Sequence, residues 1–370
     1  EMLRSLVGSE MCIRDSISLY LHTMRRQAEQ LSVAAQGLKF TSFAVGGGTP
    51  LILDEGQLEE LFCLAELFGV HPSRVFTSVE TSPEYTQKSV LRQLRARGVE
   101  RLSMGVQSFN ETELKKLKRR PGLGTVVGAL ENIVEAGFPQ FNLDLIYGIE
   151  GQTVESFMRS LNTALTYRPN ELFIYPLYVR PGTRINVRST DDIGYAIYKS
   201  ARELLVGQGF VQTSMRRFVR RETTETEFSC GDEVMLSCGA GGRSYLGNLH
   251  YATPYAVRQQ AIADEIDHYI RTTDFMTAAN GFLLSTEEMQ IRFIIKNLMY
   301  HRGVDLAEYE KRFGEKPDRN LFREFTDRGW IEETGRIVRL TEEGMAYSDY
   351  IGQAFISPAV RKLMSEYVYP

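Results

Sequence analysis

Four short stretches place ligand-binding side chains just after runs that read as strands. Gly46, Gly47 and Gly48 follow the apolar run FTSFAV and lead into Thr49 and Pro50. Three successive glycines carry no Cβ, so backbone N–H and C=O groups can meet a ligand directly; a tight turn is the plainer reading. The stretch is not a Walker loop, because no Gly-Lys-Ser/Thr follows, and it lacks the GxGxxG spacing of a dinucleotide fingerprint. Glu80 ends RVFTSVE, Gln107 ends RLSMGVQ, and Asp144 sits between Leu143 and Leu145 in NLDLIYG. An ionised carboxylate in so apolar a run is costly unless hydrogen-bonded or paired. Singly, each has an ordinary explanation: a turn cap, a solvent-facing amide, a structural arginine partner. Together they put a polar side chain near the exit of successive strands, as a ligand-binding rim requires. Arg119 and Arg120 end the basic stretch KKLKRR. A solvated helix face accounts for the lysines, while one arginine can turn inward to a carboxylate or ribose.

Metal chemistry finds no support in spacing. Cys12, Cys63, Cys230 and Cys238 form no CxxC or CxxxCxxC, and His22, His71, His250, His268 and His301 show no ligand pairing. The same four cysteines form no disulfide framework, which predicts a reduced, cytoplasmic protein.

The elements that must position these residues alternate. An amphipathic helix from Ile17 (Ile17, Leu21, Met24, Ala28, Leu31) precedes FTSFAV. Strand-like RVFTSVE, RLSMGVQSF, FNLDLIYG and ELFIYPLYV then alternate with helical LEELFCLAELFG, TQKSVLRQLRARG, GTVVGALENIVEAG and TVESFMRSLNTAL. Such alternation indicates βα units on a parallel sheet, and several in succession favour a closed or partial (β/α) barrel; an open doubly wound sheet is the alternative. In either case ligands meet the carboxyl ends of the strands. After Pro181 the rhythm breaks: a helix (IGYAIYKSARELLVGQG), a polar loop or exposed hairpin (VRRETTETEF), and the glycine-rich VMLSCGAGGRSY. From about Thr253 the text is mostly helical, with a strand pair near WIEE and IVRLT, predicting a winged-helix-like appendage. The first sixteen residues show neither a helical stripe nor strand alternation.

Length and charge agree with a soluble catalyst or binder. The 370 residues, 43% hydrophobic and 24% charged, allow two domains or one barrel with an appendage. A net charge of −4 argues against a dedicated nucleic-acid or acidic-membrane binder. No run approaches the ~18 apolar residues of a membrane span, and no secretory leader is evident.

GGGTP, SVETSP, RGVERLSMGVQSFNETEL, NLDLIYGIEGQT and YPLYVRPGT, in this order, resemble the blocks of the radical S-adenosylmethionine (SAM) proteins related to oxygen-independent coproporphyrinogen III oxidase and its haem-chaperone relatives. CGAGGRSY and the helical tail resemble that family's C-terminal region. The resemblance implies an α/β fold, a partial (β/α) radical-SAM-type barrel with a mostly helical, winged-helix-like C-terminal region. It implies SAM beside a [4Fe–4S] cluster that releases a 5′-deoxyadenosyl radical to abstract substrate hydrogen. It also implies a tetrapyrrole as substrate and a flavodoxin or ferredoxin as electron donor. Carried over by block, Gly47, Gly48 and Thr49 meet the methionyl moiety of SAM. Glu80, Gln107, Arg119 and Asp144 line the remainder of its site, and Tyr178 lies near the adenine through its backbone. The family holds its cluster by CxxxCxxC after the first barrel strand, a place that falls at or before the start of this sequence. Residues 1–16 are accordingly expected to be an extraneous leader. Residues 17–225 are expected to form a barrel lacking its first strand, and residues 226–370 the C-terminal region. No HNxxYW-like block precedes CGAGGRSY, so a haem or tetrapyrrole chaperone without turnover is the alternative to an oxidoreductase, and an inactive fragment is the third reading.

Overall fold

The βα repeats assemble a single mostly parallel sheet. In the computed structural model, described for residues 10–47, 49–119, 122–179, 190–220, 234–254, 256 and 259–367 (backbone only for 10–16), five strands run parallel. They are β1 (Ser42–Val45), β2 (Phe76–Thr81), β3 (Arg101–Gln107), β4 (Gln140–Tyr147) and β5 (Glu171–Pro176). Two antiparallel strands, β6 (Phe210–Gln212) and β7 (Arg217–Arg220), complete the order β1-β2-β3-β4-β5-β7-β6. Among the described residues β1 and β6 stand at the two ends of this order, and β1 has β2 as its sheet neighbour.

Helices cover the convex face. α1 (Glu10–Ala34), α2 (Glu55–Glu66), α3 (Lys88–Ala96), α4 (Glu111–Lys116), α5 (Leu123–Ala136), α6 (Val154–Thr166) and α7 (Asp191–Gly207) punctuate the strands. Their ends are written in the sequence. Asp54 and Gln57 form a reciprocal capping box for α2, as Thr153 and Ser156 do for α6. Gly137 ends α5 in the left-handed conformation, φ 63°. Alternate strand residues Leu102, Met104, Val106, Leu143, Leu145, Leu172 and Ile174 join Phe62, Leu91, Leu130, Phe157 and Leu161 in one buried core. Truncating one such aromatic to alanine costs ~3–5 kcal/mol. α1 begins at Glu10, upstream of the Ile17 stripe, so backbone helix runs through part of the stretch that reads from sequence as formless.

The C-terminal half holds more strand than its text suggests. β8 (Val234–Met235), β9 (Arg243–Leu246), β10 (Leu249–Ala252) and β11 (Gly281–Leu283) form a four-stranded antiparallel sheet, with α8 (Gln259–Arg271) between β10 and β11. The helical reading after Thr253 did not include β11. The glycine-rich loop before β9 docks on α1: Gly239 and Tyr269 donate to Gln27 Oε1 (2.9 and 2.6 Å), and Ala240 N–H donates to Tyr20 Oη (2.8 Å). Gly239 has φ 102°, and a Cβ there would stand 2.8 Å from Tyr20 Oη, so only glycine fits this approach. Most of VRRETTETEF, together with Cys230, lies outside the described residues.

A second core follows. α9 (Thr286–Leu298), β12 (Val304–Asp305), α10 (Leu306–Phe313), α11 (Asn320–Asp327), β13 (Ile331–Thr334) and β14 (Ile337–Leu340) surround Phe293, Ile294, Tyr309, Phe322, Phe325 and Val338. The strands order β12-β14-β13, and β13–β14 is the expected hairpin, the wing of a winged-helix arrangement. α12 (Glu342–Ala346), α13 (Ser348–Ala354) and α14 (Pro358–Glu366) close the chain.

Candidate functional site: a polar concave face

The face of the sheet opposite the helices carries polar groups at alternate positions. Register sets them in rows. Ser78, Arg101 and Gln140 lie side by side on β2, β3 and β4. Above them run Glu80, Ser103, Asn142 and Glu171, and next toward the strand exits Gly105, Asp144 and Phe173. Fully buried parallel strands usually read as unbroken apolar runs. Here the apolar half of each strand faces the helices and the polar half faces a hollow.

The floor of this face is an ion cluster. Glu171 is buried and accepts from Arg101 Nε at 2.9 Å and from Arg217 Nε at 2.5 Å. Arg101 Nη1 also donates to Ser78 Oγ at 2.9 Å. Burial alone would raise the Glu171 pKa; the two guanidiniums override it and hold the carboxyl below its ordinary value. None of these three charged residues was among the residues read as a site. Their signal was the period-two polar alternation itself: Arg101, Ser103, Gly105, Gln107 on one strand and Gln140, Asn142, Asp144 on the next.

The predicted residues sit above that floor. Val45 pairs with Val79, so Gly46 continues β1 alongside Glu80. A Cβ on Gly46 would stand 2.9 Å from Glu80 Cδ, and Gly47 N–H donates to Glu80 Oε2 at 3.3 Å. The glycine run thus lets a carboxylate lie flat against the backbone. Burial raises the Glu80 pKa, partly offset by Gly47 N–H and Arg101. Gly48 lies outside the described residues, as does Arg120; Thr49 precedes the short turn of helix at Pro50–Ile52.

Asp144 neighbours Gly105 in register. Its Oδ1 accepts from Asn142 Nδ2 at 2.8 Å, and the same amide donates to Ser103 Oγ at 2.7 Å. Burial pushes the Asp144 carboxyl up to about 7; Asn142 and Arg101 pull it down, and the charges of Glu80 and Glu171 push it up further. Gln107 closes the row. The β3–β4 register slips between Gly105 and Gln107, and Gln107 adopts φ 72°, a costly conformation outside glycine. Its amide folds back over Gly105, where a Cβ would stand 2.5 Å from Nε2. Buried Glu113 braces the loop after it, accepting from Ser108 Oγ (2.6 Å), Ser156 Oγ (2.6 Å) and Gln152 Nε2 (2.9 Å).

Arg119 lines a small recess with Ser82, Glu84 and Gly105, beside the Ser82 Oγ, which is buried without a partner among the described residues. The Tyr178 side chain turns toward the C-terminal region. The residue is 49% exposed and its hydroxyl donates to Asp349 of α13 at 2.7 Å, with Arg216 bonded to both. Glu343 accepts from Tyr195 (2.9 Å) and Glu342 pairs with Arg202, so this seam joins the C-terminal helices to α7. The structure therefore gathers Gly47, Glu80, Gln107 and Asp144 on one face, sets Arg119 at its edge, and turns the Tyr178 side chain toward the C-terminal region.

Comparisons with known proteins agree with this architecture. A family model for the radical SAM superfamily matches residues 12–164, and one for the HemN C-terminal domain matches residues 284–347. The chain is 27% identical over 334 residues to the heme chaperone HemW of Bacillus subtilis, covering 84% of each. It is 35% identical over 292 residues to the oxygen-independent coproporphyrinogen III oxidase of Salmonella typhimurium, covering 73% of this chain and 62% of that protein. The solved structure of coproporphyrinogen III oxidase (HemN) from Escherichia coli, described as a radical SAM enzyme, matches with a TM-score of 0.76 at 21% identity over 92% of this chain and 83% of that one. The fold is a HemN-like radical SAM fold. The chain carries a radical SAM domain followed by a HemN-type C-terminal domain, and its relatives bear the names of both oxidases and chaperones. Among the described residues no helix is long and apolar enough to cross a membrane.

The family uses SAM and a [4Fe–4S] cluster. SAM fits this face. The glycines admit close backbone contact, two carboxylates and a carboxamide offer acceptors for amine and hydroxyl groups, and Ser82 Oγ is buried without a partner among the described residues. The described residues do not offer the cluster its ligands. Among the described residues no three His, Cys, Asp or Glu side chains gather for a metal. Cys63 and Cys238 are free, and burial pushes the Cys238 thiol up to about 12, away from the thiolate a metal needs. The Cys12 side chain and Cys230 lie outside the described residues.

Proposed function

We propose that the concave face binds SAM and serves a tetrapyrrole-directed radical SAM oxidoreductase of the coproporphyrinogen III oxidase-like group, in the cytoplasm and with a flavodoxin- or ferredoxin-type electron donor. The observation that carries this reading is the convergence of Gly46–Gly47, Glu80, Gln107 and Asp144 on one hollow. In it, Gly47 and Thr49 bound the methionyl end, and Glu80 and Gln107 receive ammonium or amide donors. Asp144 accepts from a ribose hydroxyl, and Arg119 contributes a cation at the edge. Bound SAM supplies the deoxyadenosyl group of the family's chemistry. The chain's own residues bind, orient and desolvate it. Tyr178 contributes backbone only, since its side chain belongs to the Asp349 seam.

The names of the HemW relatives favour a second reading, a haem or tetrapyrrole chaperone without turnover. Isothermal titration of the 370-residue protein with SAM tests the site, and Asp144→Asn and Gly46→Ala should each weaken binding. Equal binding by all three proteins would refute the site. Treated anaerobically with iron and sulfide, this chain should stay colourless and form no 5′-deoxyadenosine; a [4Fe–4S] absorption band would contradict the ligand inventory. Stoichiometric haem binding without 5′-deoxyadenosine, in protein carrying a cluster, would decide for the chaperone.

A further inference from the structure

The Gln107 amide is a buried polar group that the chain's own hydrogen bonds leave aside. The residue is 8% exposed, yet among the described residues its side-chain nitrogen and oxygen have no hydrogen-bond partner. Buried amides are normally paired. The backbone beneath it is strained, at φ 72°, and such strain persists only where flanking contacts impose it. They do so on both sides. Upstream, the β3–β4 register slips between Gly105 and Gln107, leaving Val106 as the extra residue. Downstream, Ser108 Oγ donates to Glu113 Oε2 at 2.6 Å and accepts from Asn110 N–H at 2.9 Å, while Phe109 N–H donates to Ser160 Oγ at 3.1 Å. The sheet and this loop together hold the turn that sends the amide back along its own strand.

Gly105 is where the amide comes to rest. It pairs in register with Asp144, so the amide lies over the Asp144 row. The Gly105 backbone is outside the left-handed region and would accept any side chain. Space alone excludes one. A Cβ there would stand 2.5 Å from Gln107 Nε2 and 3.7 Å from its Cδ, and beyond the chain neighbours no other described atom lies within 4 Å. Glycine weakens a strand interior and often marks a close approach; here the approaching group is a side chain of the same strand. Resting on the SAM-site reading above, we propose that Gly105 is a positioning residue: its missing side chain opens the space into which the Gln107 carboxamide folds, setting that amide in the Asp144 row for one ligand. The amide brings what an ionised carboxylate lacks, an N–H donor, so the row meets ligand acceptors as well as donors.

A double-mutant cycle on the 370-residue protein, read by titration calorimetry with SAM and by urea unfolding, tests this. Gln107→Ala should weaken binding about ten-fold, the loss of one or two net hydrogen bonds. Gly105→Ala should weaken it by a similar factor with its urea midpoint near wild type, because its Cβ meets only the amide. The double variant should bind no more weakly than Gln107→Ala alone, since no amide is left to displace. Losses that multiply to about a hundred-fold in the double variant would mean that the new methyl blocks the ligand directly, and would overturn the proposal. So would Gly105→Ala weakening binding while Gln107→Ala does not. A Gly105→Ala protein that binds like wild type, beside a weakened Gln107→Ala, defeats Gly105 alone. If Gly105→Ala does not fold, the double variant should fold, and its failure to do so would show that the Cβ meets more than Gln107. Wild type, Gln107→Ala and Asp144→Asn binding SAM equally is the separate result that defeats the SAM-site reading.

Discussion

Asp144→Asn should make the protein more stable, and increasingly so as pH rises. Burial places the folded-state carboxyl at about 7 against an ordinary 3.8. Between those values the folded chain keeps a proton that the unfolded chain releases, so the unfolded state is favoured as pH rises through the window. The carboxyl thus costs nothing below its ordinary pKa and its full amount above about 7. At 1.36 kcal/mol per unit, the burden grows by about 2–3 kcal/mol between roughly pH 5 and pH 8. Asparagine keeps the shape, accepts from Asn142 through its own oxygen, and carries no charge to desolvate. Urea unfolding of both proteins at the two pH values measures the difference. A stability gap that stays flat, or shrinks toward alkaline pH, would refute the argument that this carboxylate is held in the hollow against its own solvation. The same variant should bind SAM more weakly, so stability and binding move in opposite directions.

Three further substitutions separate the parts of the molecule. Gly46→Ala should force the Glu80 carboxylate off the backbone, weakening SAM binding about ten-fold while changing stability by less than about 1 kcal/mol, since neither group belongs to the apolar core; calorimetry and urea midpoints check the two halves. Arg217→Met should cost about 3 kcal/mol by stripping a buried carboxylate of one of its two guanidiniums; a loss below about 1 kcal/mol would mean Arg101 alone suffices for Glu171. Gly344→Ala should lower the stability of the second core by about 2–3 kcal/mol, because its Cβ would meet the Trp330 carbonyl oxygen at 2.0 Å. Proteolysis of the region around residues 284–347, with SAM binding retained, is the expected signature.

How much of this was legible follows from what each residue faces. The five parallel strands could be read because their convex-side residues are apolar at every second position and their helices end in capping boxes and left-handed glycines. Glu80 and Asp144 stood out as carboxylates in apolar runs. Arg101 and Glu171 did not, because each sits at the start of its strand, where a charge looks like an ordinary boundary. Gln107 could be nominated from its place at a strand exit, but its positive φ depends on a bulge created by the neighbouring strand. Tyr178 was placed by block order, whereas its side chain answers to Asp349, 171 residues further on. The β8–β11 sheet was missed for a similar reason: its strands are two to four residues long and its last member pairs across an intervening helix.

The seam that holds Tyr178 also sets how the two halves of the molecule respond to their medium. Glu342, Glu343 and Asp349 all come from one short stretch of the C-terminal region, and they meet Arg202 and Tyr195 of α7 and Arg216 just before β7. Attraction between partly wetted charges is damped by dissolved ions, whereas the oily interiors on either side are not. Added salt therefore weakens these ion pairs before it touches either core, while the Tyr195–Tyr347 stack and the Ser214–Tyr300 bridge between the same regions stay in place.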